Sequence, residues 1–148
     1  MLPHDARTTM EANRLEDTMD ARTYENVLTA MRGEAVAYAR YLLFAAAARR
    51  SGELRLASMF EGIGAVELQE HFAQLADLAG LVGTDADNVR AALVDENREV
   101  EETYPKFARM AFAAGDFAVA ERFEEMAEDE REHEERLQQV LERLEILA

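Results

Sequence analysis

The chain has 148 residues, of which 49% are hydrophobic and 32% are charged, and its formal net charge is -15. It contains no cysteine, which excludes disulfides, thiolate zinc sites and iron–sulfur clusters, and its negative charge opposes binding to nucleic acid. Because no apolar run is long enough to span a membrane and the N-terminus lacks the pattern of a secretion signal, we expect a cytoplasmic protein with no membrane partner.

Four long helices with short links are predicted along the chain. Their predicted extents are residues 23–50, 53–79, 84–114 and 116 to near the C-terminus. Thr23 is the predicted N-cap of the first helix, and Thr84 or Asp85 that of the third. Helices of similar length joined by short links predict an all-α, up-down-up-down four-helix bundle over residues 21–148, preceded by an N-terminal arm over residues 1–20.

The two halves of the chain repeat each other at an offset of 63 residues. Identical residues related by this offset include Tyr41 and Tyr104, Phe60 and Phe123, Gly52 and Gly115, and Glu67 and Glu130. The repeat predicts two copies of one helical hairpin related by a pseudo-twofold axis.

Seven candidate metal ligands interrupt the apolar faces of the predicted helices. They are Glu34 on the first helix, Glu67 and Glu70 on the second, Glu96 and Glu99 on the third, and Glu130 and His133 on the fourth. Carboxylates among core positions are costly unless a cation compensates them, and residues three apart lie on one side of a helix. A Glu from each of two helices and a Glu-x-x-His from the others is the pattern of di-iron and di-manganese carboxylate bundles, so the spacing predicts a two-metal site.

The second helix departs from that pattern because its sequence, ELQEH, offers both Glu70 and the adjacent His71. In an uninterrupted α-helix Glu70 faces the predicted site and His71 lies at its flank. We therefore favour Glu70 as the ligand and keep His71 as the alternative.

The third helix contains one residue more than the first between its glutamate and its tyrosine. Glu34 precedes Tyr41 by seven residues, whereas Glu96 precedes Tyr104 by eight. Because both glutamates must reach the same depth in the bundle, we predict a π-type turn between Glu96 and Tyr104. Such a turn would let Glu99 move between metal-bound and withdrawn positions.

Five segments carry the motifs of a known family, and the most specific motifs are RGE, ENREVEETYP and EREH. Across residues 20–145 the sequence resembles the rubrerythrin family in its ferritin-like domain. The resemblance implies a ferritin-like bundle with two iron ions, or manganese as the alternative metal. The implied ligands are Glu34, Glu67, Glu96, Glu99, Glu130 and His133, with Glu70 where the family usually has histidine. Family members of this kind reduce hydrogen peroxide, and some relatives oxidise iron or react with dioxygen.

Typical rubrerythrins also have a cysteine-ligated iron module for electron transfer, whereas this chain has no cysteine and ends at Ala148. We therefore expect an external electron donor, such as a rubredoxin or a flavoprotein. The leading prediction is a di-iron oxidoreductase that reduces hydrogen peroxide or dioxygen. The alternatives are a ferroxidase or iron-handling protein, and a metal-free acidic helical interaction module.

Two further predictions concern the tyrosines and the assembly. Tyr41 and Tyr104 have two interpretations: they are core aromatics, or their hydroxyls orient the ligand carboxylates. We expect a homodimer, with exchange of hairpins through the LVGTD link as one form of it.

Overall fold

The computed structural model describes residues 19–146, and their regular structure is entirely helical. The described residues therefore confirm the all-α fold class. The predicted N-terminal arm lies outside them, apart from its last two residues. None of the described helices combines the length and the apolar character needed to cross a membrane.

Four long helices are present, as predicted, and two of them contain a π-helical segment. In chain order the elements are α1 (Ala21–Arg50), α2 (Leu54–Val66), π1 (Glu67–Phe72), α3 (Ala73–Leu78), α4 (Asp85–Arg98), π2 (Glu99–Thr103), α5 (Tyr104–Ala114) and α6 (Phe117–Ile146). The second long helix consists of α2, π1 and α3, and the third consists of α4, π2 and α5. The predicted π-type turn in the third helix is confirmed by π2, whereas π1 in the second helix was not predicted.

Side-chain caps fix the starts of α1 and α4. The predicted cap of α1 is wrong: the Asp20 carboxylate, not Thr23, accepts the backbone N–H groups of Arg22 and Thr23 at 3.0 and 3.4 Å. At α4 the Thr84 hydroxyl accepts the Asp87 N–H at 3.2 Å, and the Asp87 carboxylate accepts the Thr84 N–H at 3.4 Å. This reciprocal capping box confirms Thr84, one of the two predicted caps.

The described residues divide into two compact helical units, with the boundary between Val82 and Gly83. In hairpin 1 (residues 19–82) α1 packs along α2, π1 and α3, and in hairpin 2 (residues 83–146) α4, π2 and α5 pack along α6. Gly52 ends the first helix of hairpin 1 with φ of +83°, and Gly115 ends that of hairpin 2 with φ of +85°. A left-handed residue at the end of a helix favours glycine, which explains why the repeat keeps glycine at both positions.

The packing inside the hairpins follows the 63-residue repeat. Tyr41 and Phe44 pack on Phe60 in hairpin 1, with ring centroids 5.9 and 5.5 Å apart. The repeated residues Tyr104 and Phe107 pack on Phe123 in hairpin 2 at 6.1 and 5.5 Å. Small residues at the helix contacts are buried at repeated positions; they are Ala45, Ala57 and Gly64 in hairpin 1, and Ala108, Ala120 and Ala127 in hairpin 2. The repeat in the sequence is therefore a repeat in structure.

Candidate metal centre

Hairpin 1 brings together two carboxylates and one imidazole. Glu34 comes from α1, and Glu67 and His71 come from π1. The Nδ1 atom of His71 lies 2.8 Å from a carboxylate oxygen of Glu67 and 3.7 Å from one of Glu34. One ligand atom from each of the three residues lies within 4.8 Å of the other two.

Hairpin 2 contains a second cluster of the same composition. Glu96 comes from α4, and Glu130 and His133 come from α6. The Nδ1 atom of His133 lies 2.7 Å from a carboxylate oxygen of Glu130 and 4.0 Å from one of Glu96, and the three ligand atoms again lie within 4.8 Å of one another. The two clusters therefore match in residue types and in geometry.

The π1 segment explains how the two clusters match although their spacings differ. His71 follows its glutamate by four residues, whereas His133 follows its glutamate by three. A π turn accommodates one residue more than an α turn, so π1 brings His71 to the side of the helix on which Glu67 lies. The second helix is not an uninterrupted α-helix, so the premise that favoured Glu70 is wrong. The cluster contains His71, and the side chain of Glu70 is exposed.

The signal that indicates His71 is present in the sequence. Compared with EREH in the fourth helix, ELQEH in the second helix has one additional residue between its first glutamate and its histidine. The same comparison of spacings predicted π2, and it also predicts π1 when it is applied to this pair of motifs.

In each cluster, two carboxyl groups lie too close together for both to be charged without cost. A hydrogen bond with Glu67 raises the pKa of Glu34, while the same bond and one with His71 lower the pKa of Glu67. In hairpin 2, burial and a hydrogen bond with Glu130 raise the pKa of Glu96. A proton shared within each carboxyl pair accounts for these directions, and a divalent cation would replace that proton.

No lysine or arginine among the described residues forms a salt bridge with these acids. Within residues 19–146, the salt bridges to Glu34, Glu67, Glu96 and Glu130 come from the two cluster histidines. Carboxylate oxygen and imidazole nitrogen together suit first-row divalent metals such as iron and manganese. Both clusters therefore fit metal ions by their donor types and by their uncompensated charge.

Glu99 and Tyr104 lie next to the second cluster. Glu99 is the first residue of π2 and is half-buried outside the three-residue cluster. Burial, the charges of Glu99 and Glu130 and a hydrogen bond with Glu99 raise the pKa of Tyr104, which keeps its hydroxyl protonated. At the repeated position in hairpin 1, the Tyr41 ring packs against Phe44 and Phe60.

Helical hairpins that present paired glutamates with histidines are the building units of carboxylate-bridged di-metal proteins. The family model for rubrerythrin matches residues 25–141. The chain therefore belongs to the rubrerythrin family, as its motifs predicted. This family binds a di-iron centre, and the two clusters fit such a metal pair.

Individual relatives agree with the family match. Rubrerythrin from Porphyromonas gingivalis is 33% identical, over 78% of this chain and 64% of its own length. Rubrerythrin from Nitratidesulfovibrio vulgaris is also 33% identical, over 78% of this chain and 67% of its own length. A putative rubrerythrin from Methanocaldococcus jannaschii is 28% identical, over 83% of this chain and 71% of its own length. The chain thus spans about two thirds of the length of these relatives.

Proposed function

We propose that the protein is a di-iron oxidoreductase that reduces hydrogen peroxide with electrons from a separate donor. The observation that carries the proposal is the pair of matching clusters, each with two glutamates and a histidine on adjacent helices. In this proposal Glu34, Glu67 and His71 hold one metal ion. Glu96, Glu130 and His133 hold the other.

The metal pair and the protein contribute different parts of the chemistry. When bound, two Fe(II) ions supply the two electrons that cleavage of a peroxide O–O bond requires. The carboxylates offset the charge of the metal ions, and the helices fix the positions of the imidazole nitrogens. Reduction of hydrogen peroxide to two water molecules also consumes two protons, which must be delivered beside the metal pair.

Tyr104 is a positioning residue in this proposal. Its protonated hydroxyl hydrogen-bonds to Glu99 and lies near the charge of Glu130. It therefore orients the Glu99 carboxylate and keeps a proton next to the second cluster. In hairpin 1 the residue that follows the cluster glutamate by three positions, as Glu99 follows Glu96, is Ala37, so this arrangement belongs to hairpin 2.

The electrons must come from a redox centre that these 148 residues do not supply. They contain no cysteine, and cysteine-ligated iron cannot form within them. A separate rubredoxin-like protein or flavoprotein is the proposed donor.

The test begins with anaerobic loading of two Fe(II) ions per chain. Rapid mixing with hydrogen peroxide and, in a separate reaction, with dioxygen then gives the two rates of iron oxidation. The proposal predicts faster oxidation by peroxide and two retained iron ions per chain. Equal or faster oxidation by dioxygen, with iron retained well beyond two ions per chain, would instead identify a ferroxidase.

A matched pair of variants separates the site from the acidic helix surface. Glu130→Gln and Glu135→Gln remove one charge each from α6, but only Glu130 belongs to a cluster. We expect Glu130→Gln to lose peroxide-selective oxidation and Glu135→Gln to retain it. Equal loss in both variants would attribute the reaction to acidic surface charge and contradict the proposal.

A further inference from the structure

An apolar groove runs along the last part of the second long helix, within hairpin 1. Its walls come from π1, α3 and the residues that follow α3, and they include Leu68, Phe72, Ala76, Leu81 and Val82. The groove has a volume of about 330 Å³, and Leu81 and Val82 are 50% and 72% exposed. A continuous apolar surface of this kind indicates a site that another group covers.

The lining of the groove favours a stretch of polypeptide as the covering group. Among the described residues that line it, Asp77 is the one charged residue, and the others are apolar or glycine. Small-ligand pockets have volumes of about 300–1,000 Å³ but also place a small number of polar groups that converge on the ligand. A single carboxylate beside apolar walls instead suits a segment with apolar side chains and one basic side chain.

The start of α1 lies beyond the end of α3, close to the open end of the groove. Glu34 and His71 lie at the same level of the hairpin, because their side chains are 3.7 Å apart. From this level α1 extends back over fourteen residues to Asp20, about 21 Å at a rise of 1.5 Å per residue. The second helix extends in the same direction over seven residues to Leu78, which is about 10 Å. The chain therefore enters α1 at the level of the residues that follow α3.

The chain bends at Met19, the first described residue, and this side chain is half-buried. The preceding chain therefore leaves the axis of α1 instead of continuing along it. Residues 1–18 contain the apolar side chains Met10 and Leu15 on either side of the basic residue Arg14. These are the side-chain types that the groove accepts.

The distances allow this segment to reach the groove. Asp77 lies six residues after His71, so about 12 Å separates its level from that of Asp20. The six residues from Arg14 to Asp20 span up to about 20 Å when extended. Arg14 can therefore lie beside Asp77, and the residues before it can extend further along the apolar walls.

We propose that residues 1–18 fold back onto hairpin 1 of the same chain and cover this groove. Arg14 pairs with Asp77, and Met10 and Leu15 lie against the apolar walls. This occupant is attached at the open end of the groove, so its effective concentration there is high.

The covered groove would also support the first metal cluster. Two wall residues, Leu68 and Phe72, belong to π1, and each follows a cluster residue, Glu67 or His71, directly in the chain. Contacts that fix π1 therefore fix the position of the His71 imidazole. This effect on metal binding rests on the proposed function, whereas the covering of the groove does not.

The first test measures the mobility of the segment in the full chain. Because the chain has no cysteine, Asn13→Cys provides a single site for a nitroxide label. We expect a restrained label in the electron paramagnetic resonance spectrum, and severalfold faster motion after Leu81→Ser with Val82→Ser. Leu54→Ser with Leu56→Ser replaces two other exposed apolar residues of hairpin 1 outside the groove and should leave the label restrained. A freely mobile label in the parent chain, or equal motion in both double variants, would overturn the proposal.

A mixing experiment distinguishes the same chain from a second copy. Labelled chains with the altered groove are mixed with an excess of unlabelled chains whose groove is intact. The label should remain mobile. A label that becomes restrained would show docking on another copy and contradict the proposal.

The second test reverses the charges of the proposed ion pair. Asp77→Lys should release the label, and Arg14→Glu in the same chain should restrain it again. Release without recovery would contradict the pairing of these two residues.

The last measurement separates this inference from the proposed function. Release of the segment should weaken binding of one of the two Mn(II) ions about 10-fold, as expected for loss of a contact that orients a ligand, and unchanged affinity would contradict the support of π1. A restrained label in a protein that shows no oxidation of iron by peroxide would contradict the proposed function and leave the covered groove supported.

Discussion

The π1 segment makes one residue of the second helix dispensable. Deletion of Gln69, an exposed residue inside π1, changes ELQEH to ELEH. His71 then follows Glu67 by three residues, which is the spacing of Glu130 and His133 in α6. We expect an unbroken α-helix in which the histidine keeps its short contact with the glutamate, which is 2.8 Å in the present structure.

The same deletion in a regular helix should have a large effect. Removal of Glu132 from α6 rotates every later residue by about 100° relative to the residues before it. His133 leaves the side of Glu130, and four half-buried side chains leave the packed side of the helix: Leu137, Val140, Leu141 and Leu144. At roughly 1 kcal/mol for each partly buried side chain, the loss is about 4 kcal/mol, which is a large part of the 5–15 kcal/mol typical of a domain.

Metal titration and thermal unfolding of the two deletion variants provide the assay. The Gln69 deletion should retain two Mn(II) ions per chain and a melting temperature at or above that of wild type. The Glu132 deletion should lose about one ion per chain and unfold at lower temperature. If the Gln69 deletion lost metal and stability to the same extent, π1 would not be an accommodated insertion, and the placement of His71 would be refuted.

Four further predictions follow from the clusters and the caps. His71→Ala should lower bound Mn(II) from two ions to about one per chain in equilibrium dialysis, and Glu70→Ala should leave it near two; the opposite result would assign the ligand to Glu70. Tyr104→Phe should weaken metal binding or peroxide reduction about 10–100-fold, as expected for loss of a group that orients a ligand, whereas Tyr41→Phe should have little effect; equal effects would remove the special role of Glu99. Thr84→Ala should lower the free energy of unfolding by about 1 kcal/mol in urea titrations, and an unchanged midpoint would contradict the capping box. Mn(II) at 100 times its dissociation constant should stabilise the fold by about 2.7 kcal/mol for each site, and a metal-independent melting temperature would argue against both clusters.

Periodicity along single helices made most of the fold predictable. Apolar spacing and glycines fixed the four helices to within a few residues, and the offset of 63 residues predicted two similar hairpins. Both glutamates of each cluster and His133 could be proposed because polar residues on an apolar helix face are conspicuous, whereas His71 was only the alternative to Glu70. The cap of α1 was missed because Asp20 and Thr23 are both good N-caps and sequence spacing does not rank them.

The second helix shows where such reasoning fails. Helical spacing predicts the direction of a side chain correctly only while each turn has 3.6 residues. One π turn changes the predicted direction of every later side chain in the helix. The preference for Glu70 over His71 depends on an unbroken second helix, which π1 interrupts, whereas the prediction of π2 depends on an added residue. In both helices a difference in spacing between the repeats marks the added residue: it lies between Glu96 and Tyr104 in the third helix and between Glu67 and His71 in the second.

The π segments of the two hairpins lie in helices that do not correspond to each other in the repeat. In hairpin 1 the π segment is in the second helix and contributes two members of the cluster, whereas in hairpin 2 it is in the first helix and begins at Glu99, outside the cluster. A perfectly duplicated hairpin would give two degenerate metal positions with identical surroundings. These insertions remove that degeneracy, because one imidazole is attached to a distorted helix and the other to a regular one. Two chemically similar clusters thus become distinguishable through backbone geometry alone, without any difference in their three ligand types.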